Sequence, residues 1–160
     1  MVSFGELCPE VANEQLLQLH IPHEPVPHEP APGRSLPDGH YAFLEFYCPH
    51  PDCDCQMVLW RVHLRLPDEP NFPASRPAVA TFAWCWDGDH PGGPHEEPGP
   101  TSRLSPLLLT ALKRAVRFQG YGKVVKGHYQ LVRTEALRPG SAAYGLLHPE
   151  QRPRETRLDP

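Results

Sequence analysis

Apolar and polar residues alternate along three stretches in the middle of the chain. In the clearest case, Trp60, Val62 and Leu64 alternate with Arg and His side chains. A period of two is typical of a β-strand with one face in the core and one in solvent. All three stretches are rich in aromatic and β-branched residues, and turn-forming residues separate the second from the third. They predict an antiparallel meander over residues 40–48, 56–66 and 77–86.

The apolar period becomes helical in the last third of the chain. Between Ser105 and Gly120, apolar residues recur every three or four positions. Pro106 suits the first helical turn, and Gly120 suits the end of the helix. Residues 121–137 keep the same period, so a second helix is expected there. A weaker pattern predicts a short N-terminal helix over residues 13–20.

These elements predict a single α+β domain over residues 1–160. We expect a small antiparallel sheet of about three or more strands, covered on one face by the two C-terminal helices. A chain of this length buries roughly two-thirds of its unfolded surface, which is enough for one core. The side chains expected in the core are Trp60, Val62, Leu64, Phe82, Leu108, Leu112 and Val125.

Three segments interrupt the apolar pattern. Residues 21–38 form a proline-rich stretch that we expect to be extended, because dense prolines favour a polyproline-like path. Residues 87–100 read as an acidic flexible loop, and residues 151–160 as a frayed tail. The chain contains 22 prolines, but its twelve Arg against three Lys indicate a GC-rich coding bias. The proline content therefore says little about function.

Three cysteines lie within eight residues between the first and second predicted strands, in the sequence Cys48-Pro-His-Pro-Asp-Cys53-Asp-Cys55. Cysteine is a common ligand of structural zinc, and the prolines stiffen the loop so that less entropy is lost on metal binding. No secretory signal is visible, which predicts the cytoplasm, where thiols stay reduced. Five cysteines with three so close do not fit a disulfide framework. The sequence therefore predicts a zinc site.

The strand order nominates a fourth zinc ligand. If the three strands form a meander, the third strand ends at the sheet edge where the cysteine loop lies. Cys85 sits at that end, so it is the preferred fourth ligand. His50 inside the loop and His128 in the second helix remain alternatives. Cys8 is expected to be an ordinary thiol.

A structural zinc site without catalysis is the favoured interpretation of the cysteines, with a binding or interaction module as the function. A catalytic zinc would need an open position and a general base nearby. The His-x-Glu motif of zinc deaminases is missing, since His95-Glu96-Glu97 does not match it. Thiol redox chemistry at Cys53 and Cys55 and an iron–sulfur centre remain further alternatives.

The cysteine loop also resembles a known sequence signature. The residues Tyr47-Cys48-Pro-His-Pro-Asp-Cys53-Asp-Cys55-Gln-Met-Val resemble a family of bacterial proteins with a Tyr-Cys-x4-Cys-x-Cys-x2-Val element. A later helix with a His-Tyr pair, here His128-Tyr129, is similar to the same family. The resemblance covers about a tenth of the chain and implies metal binding at Cys48, Cys53 and Cys55. The family has no assigned activity, so the resemblance implies no catalytic residues.

The net charge of −4 hides an uneven distribution. Residues 1–100 hold four basic and fifteen acidic residues, a net of −11, whereas residues 101–160 hold eleven and four, a net of +7. The basic residues favour the faces of the predicted helices away from the apolar stripes. A helix pair that binds nucleic acid is one interpretation. Solvated helix faces that offset the acidic half of the molecule are favoured instead, because the total charge is acidic and no RNA-binding aromatic signature is present. A protein partner is the intermediate possibility and is expected rather than nucleic acid; no membrane association is expected.

Overall fold

The fold joins an antiparallel sheet to helices that lie on one of its faces. The structure is a computed structural model that describes residues 1–21, 36–50, 52–70, 76–86 and 92–151. Its elements are β1 (Val2–Ser3), α1 (Phe4–Leu7), α2 (Pro9–Gln15), β2 (Gln18–Ile21), β3 (Gly39–Tyr47), β4 (Met57–Arg65), β5 (Ala80–Cys85), β6 (His95–Glu96), α3 (Ser105–Phe118), α4 (Tyr121–Leu137), α5 (Ala142–Leu147) and a 3₁₀ helix (Pro149–Gln151).

The predicted meander is confirmed as the centre of the sheet. β3, β4 and β5 are consecutive antiparallel neighbours, and short strands extend the sheet at both sides in the order β1-β3-β4-β5-β6. β2 also pairs with β3, over Gly39–Ala42 at the start of that strand. The register places Glu45 opposite Trp60, and Trp60 opposite Phe82. These three side chains therefore lie in one row on the face that the helices cover.

The two C-terminal helices are also confirmed, and both cover the same sheet face. α3 buries Leu108 and Leu112, and α4 buries Val125 and Val132. Gly120 has a φ of 77°, a left-handed conformation that glycine adopts without a Cβ clash, and it joins the two helices. The α+β class predicted from the sequence is therefore correct.

The helix predicted over residues 13–20 is wrong in its position. α2 begins at Pro9 and ends at Gln15, and the residues that follow form β2. Proline fits the first turn, which explains the earlier start. The backbone of Gln18–Ile21 pairs instead with β3, and this long-range pairing outweighs a weak local helical preference.

The core lies between the sheet and the helices. Every side chain predicted for the core is fully buried except Leu64, which is partly buried against the same cluster. Fully burying a side chain of this kind contributes about 1.5–3 kcal/mol. The other buried aromatic residues of the core are Phe4 of α1, Tyr41, Phe43 and Tyr47 of β3, and Tyr121 and Tyr129 of α4.

Most of the residues assigned to irregular segments lie outside the described part of the chain. This applies to residues 22–35 of the proline-rich stretch, to 87–91 of the acidic loop and to 152–160 of the tail. Within the acidic segment, His95–Glu96 pair with β5 as β6, so part of the expected loop is a strand. Among the described residues, no helix is both long and apolar enough to cross a lipid bilayer.

Candidate metal centre

The cysteine loop connects β3 to β4 through two tight changes of direction. Cys48 follows the last residue of β3, and the Cys53 N–H donates a hydrogen bond of 3.1 Å to the His50 carbonyl. Gln56 then has a φ of 38°, in the left-handed region that non-glycine residues rarely enter. Its carbonyl accepts a hydrogen bond of 3.1 Å from the Trp86 N–H, which ties the end of the loop to the end of β5.

The loop brings three thiols together. The sulfur atoms of Cys48, Cys53 and Cys55 all lie within 4.8 Å of one another, and all three residues are half-buried. We call them the thiol cluster. Among the described residues, no other group of three His, Cys, Asp or Glu side chains is placed closely enough to hold a metal ion. The structure thus confirms that the predicted cysteines converge, without identifying a metal.

Hydrogen bonds within the thiol cluster separate the acidities of its members. The pKa of Cys53 is lowered, first by a hydrogen bond from the Cys55 backbone N–H and then by bonds from the Cys55 and Cys48 side chains. Burial raises the pKa of Cys55 to about 12, and its bond to Cys53 adds to the rise. The Cys53 thiol therefore has a lower pKa than the Cys55 thiol and ionises before it.

Helix α4 holds the loop from one side. The Arg133 guanidinium donates a hydrogen bond of 2.7 Å to the Cys53 carbonyl and another of 2.8 Å to the Tyr129 hydroxyl. The bond to Tyr129, followed by the proximity of Cys53 and Cys55, raises the pKa of Arg133. Tyr129 in turn meets the Trp86 ring edge to face, with 5.5 Å between the centroids. A cation thus lies beside the thiols and offsets negative charge on them.

Cys85 lies at the sheet edge where the strand order placed it. It ends β5 and pairs with Met57, the first residue of β4. Its thiol donates a hydrogen bond of 3.2 Å to the Cys55 carbonyl. The Cys85 sulfur is not a member of the thiol cluster. The structure therefore places Cys85 against the backbone of the cluster, and its role as a ligand stays a prediction.

The two histidines considered as alternative ligands occupy different surroundings. His50 is exposed in the loop. His128 is 3% exposed and stacks on the Phe4 ring at 4.0 Å, with both of its nitrogens near protein acceptors. Its Nδ1 lies 2.7 Å from the Glu45 carboxylate, and its Nε2 lies 3.1 Å from the Gln15 amide oxygen. These contacts explain its burial without a metal.

His128 belongs to a second polar group that the sequence did not predict. The Glu45 carboxylate, 0% exposed, accepts hydrogen bonds from His128 and from the hydroxyls of Tyr47, at 2.6 Å, and Tyr121. We call Glu45, Tyr47, Tyr121 and His128 the buried carboxylate cluster. Burial, followed by the charge of Glu45, raises the pKa values of both tyrosines above their usual range.

One signal in the sequence points to Glu45. The alternation of β3 places it on the same face as Tyr41, Phe43 and Tyr47, where a carboxylate is out of place unless it has partners. The identity of those partners follows only from packing, because Tyr121 and His128 are separated from it by 76 and 83 residues. The contact of Arg133 with the loop, which spans 80 residues, left no comparable signal.

Comparison of the chain with protein-family models, with curated proteins and with solved structures yields no match. The function is therefore argued from the chemistry and geometry of the site itself.

Proposed function

We propose that the protein is a zinc-stabilised binding module, in which a structural zinc ion is held by Cys48, Cys53, Cys55 and Cys85. The observation that carries the proposal is the convergence of the three loop sulfurs within 4.8 Å. The zinc ion fixes the β3–β4 loop, and the protein binds a partner rather than catalysing a reaction. The proposal includes a cytoplasmic location and kinship with the bacterial proteins that share the cysteine signature.

The spacing of the thiol cluster suits a tetrahedral ion. Zinc–sulfur bonds of about 2.3 Å place the sulfurs of a tetrahedral site about 3.8 Å apart. The three sulfurs are within 4.8 Å before any metal binds, so they need to move by only about an ångström. Tetrahedral thiolate sites suit zinc or iron. We favour zinc because it is the usual ion of structural sites built from cysteine.

Cys85 is the best placed residue to complete the site. Its thiol already touches the backbone of Cys55, and it sits on a paired strand rather than on a mobile chain. Zinc binds the thiolate, so metal binding would replace the hydrogen bond from Cys85 with a zinc–sulfur bond. His128 would have to leave two buried hydrogen-bond acceptors to act as a ligand. The loss of these hydrogen bonds makes His128 a weaker candidate than His50, which is exposed.

The surroundings of the thiol cluster support a structural role. A zinc-activated water needs a nearby general base. The carboxylates nearest in sequence, Asp52 and Asp54, are exposed. The groups that contact the loop are instead the Arg133 guanidinium and the backbone at the end of β5. A closed site here joins the β3–β4 loop to β5 and lies beside α4, and its binding energy adds directly to folding.

Metal analysis with X-ray absorption tests the proposal on protein purified without added metal. We expect one zinc per chain, bound by four sulfurs at about 2.3 Å. Three sulfurs and one nitrogen around the ion would show that a histidine, rather than Cys85, is the fourth ligand. Two or more irons per chain would show that an iron–sulfur cluster, rather than zinc, occupies the site. A light ligand that exchanges with solvent would contradict the structural role.

Matched cysteine variants separate the proposed ligands from the remaining thiol. Cys53→Ser should lose zinc and thermal stability together, and Cys85→Ser should bind zinc more weakly with one sulfur fewer. Cys8→Ser is the control, since Cys8 lies between α1 and α2 and outside the thiol cluster. If Cys53→Ser keeps its zinc and its stability, the proposal is wrong.

A further inference from the structure

A cationic groove lies between α3 and the end of β5, separate from the thiol cluster. It encloses about 660 Å³ and is lined by Trp84, Val116, Lys113, Arg117 and residues 92–94. Its volume is within the range of pockets that bind small molecules or single residues of a chain. Lys113 and Arg117 are four residues apart on α3, so their side chains lie on one face of the helix.

The charges around the cationic groove are not neutralised by described carboxylates. Within the described ranges, none of the exposed cations of α3 and the first half of α4 forms an ion pair; these are Lys113, Arg114, Arg117, Lys123 and Lys126. Arg138 of α4's C-terminal end differs from them, because it pairs with Glu135. A cluster of unpaired cations on one end of a helix pair attracts an anionic partner.

Aromatic side chains lie among these cations. The Trp84 ring lies 3.2 Å from the place where a Cβ on Gly122 would be, so a larger residue at 122 would displace the ring by a few tenths of an ångström. The Lys126 ammonium lies over the Trp84 ring at 5.5 Å from its centroid. Phe118 is 73% exposed, and the Arg117 guanidinium lies 5.2 Å from its ring centroid. The groove thus has an apolar wall at Trp84, and an exposed aromatic ring contacts the Arg117 guanidinium that lines it.

From this combination we infer that the cationic groove binds single-stranded nucleic acid. Phosphates would contact Lys113, Arg117 and Lys126, and bases would stack on Phe118 or pack against the Trp84 wall. A nucleic-acid strand uses both features, because its phosphates pair with the cations and its bases stack on aromatic rings, whereas an acidic chain without apolar side chains uses the cations alone. A free nucleotide offers the same base and phosphate chemistry, so the experiment must distinguish it from a strand.

This inference goes beyond the metal site and names a partner for the binding module. No residue of the cationic groove is a proposed zinc ligand. Loss of zinc in Cys53→Ser and loss of nucleic-acid binding in a groove variant are therefore separate results, and either proposal can fail alone.

Fluorescence anisotropy with labelled oligouridylate and oligothymidylate tests the inference on the zinc-loaded full chain. Binding at low salt should weaken as salt rises, with a slope set by the number of phosphates contacted. The variant Lys113→Gln/Arg117→Gln should bind more weakly and lower that slope by about 1.4, since each single-strand contact contributes about 0.7. The control Arg61→Gln/Arg103→Gln removes equal charge from exposed residues outside the groove and should leave the slope unchanged.

Two further comparisons separate a strand from other anions. Phe118→Ala should weaken oligonucleotide binding about fivefold or more, the value of one stacked base, while Leu137→Ala, at a residue that is 64% exposed, should not. Polyglutamate and thymidine monophosphate should bind more weakly than the oligonucleotides. Equal binding of polyglutamate, equal binding of the mononucleotide, or no binding of oligonucleotide at low salt would each overturn the inference.

Discussion

The thiol cluster and the buried carboxylate cluster meet at the end of β3 but are assembled in opposite ways. Cys48, Cys53 and Cys55 come from one loop and are half-buried. Glu45 gathers its partners from α4 and from its own strand, and it is fully buried. The first group can come together through a single turn of chain, whereas the second exists only after the helices have packed on the sheet.

The difference determines what each cluster requires for stability. The thiol cluster has one hydrogen-bonded thiol network, and in the proposed function it gains its stability from a bound ion, so its contribution should depend on metal concentration. The carboxylate cluster is complete without any ligand, because three protein donors already bind Glu45. Removing Glu45 would leave its three buried donors without their shared acceptor.

The largest expected effect is that of Glu45→Ala. The substitution leaves two tyrosine hydroxyls and His128 without their shared acceptor. Breaking a buried hydrogen-bonded pair by removing one partner lowers the free energy of unfolding by about 3–5 kcal/mol. Urea denaturation of the zinc-loaded protein measures the free energy of unfolding.

Two variants check the cause of that loss. Tyr121→Phe removes one donor and should cost only about 1 kcal/mol. Leu44→Ala alters the neighbouring half-buried residue on the opposite sheet face and controls for general weakening of β3. A loss below about 1 kcal/mol in Glu45→Ala would mean that the cluster does not stabilise the fold.

The next effect is the dependence of Cys55→Ser on metal. At free zinc about 100 to 1,000 times above the dissociation constant, binding stabilises a folded protein by about 2.7–4.1 kcal/mol. Cys55→Ser should lose most of this stabilisation. With a chelator present, the variant and the parent should differ by less than about 1 kcal/mol, since an exposed or half-buried Cys→Ser change has small effects.

The control for this measurement is the fifth cysteine. Cys8→Ser should keep the full difference between zinc-loaded and chelated protein, because Cys8 lies outside the thiol cluster. A parent protein whose stability is equal with zinc and with chelator would remove the proposed role of the metal.

The contrast between the clusters also explains what the sequence could predict. The alternation around Trp60 and the apolar stripe around Leu112 reflect local burial, so they located the central strands and the two helices to within a few residues. The thiol cluster was predictable for the same reason, since its members are neighbours in the chain. The position of Cys85 at the same edge followed from the antiparallel strand order alone.

Interactions between distant residues were not predictable in this way. The pairing of β2 with β3 converted an apparent helix end into a strand, because backbone pairing with Gly39–Ala42 outweighed local preference. Glu45 stood out as a carboxylate on an aromatic strand face, but nothing local connected it to His128. The neighbouring residues His128 and Tyr129 show what local sequence cannot predict. His128 belongs to the buried carboxylate cluster, whereas Tyr129 accepts a hydrogen bond from Arg133 beside the cysteine loop.

The side chain of Arg133 connects α4 to the cysteine loop by a hydrogen bond, and its removal should have an intermediate effect on stability. Arg133→Gln loses charged hydrogen bonds to the Cys53 carbonyl and to the Tyr129 hydroxyl, which should cost about 2 kcal/mol. It should also weaken zinc binding, because a cation no longer offsets the charge of the thiolates. A zinc competition titration and urea denaturation measure the two effects.

Arg138→Gln is the matched control for this change. Arg138 is an exposed residue near the end of α4 whose ion pair among the described residues is with Glu135, so its loss should cost at most about 1 kcal/mol and leave zinc affinity unchanged. Equal zinc affinity in Arg133→Gln and the parent would show that the loop does not depend on α4.

The smallest expected effect is a loss of stability in alkaline solution that belongs to the carboxylate cluster. The pKa values of Tyr47 and Tyr121 are raised above their usual value near 10, first by burial and then by Glu45. A raised pKa in the folded state gives a contribution to stability that is complete well below pH 10 and is lost as the pH rises through and beyond that value. For the two tyrosines together, the loss should reach about 1 kcal/mol by about pH 10.

Zinc allows this loss to be assigned to one cluster. In metal-free protein, Cys55 adds a loss of the same sign above about pH 9, because burial raises its pKa to about 12. In zinc-loaded protein the ligand thiolates would be bound, so the remaining alkaline slope should come from the buried tyrosines, among them Tyr41, whose pKa is raised by burial to about 12. The slope should be smaller in Tyr47→Phe/Tyr121→Phe. Urea denaturation at several pH values, with tyrosinate absorbance recorded in parallel, measures both. If the double variant keeps the parent's slope of unfolding free energy against pH, the alkaline loss arises outside the carboxylate cluster. The two clusters, which are separate in the structure, could then not be told apart by their titration.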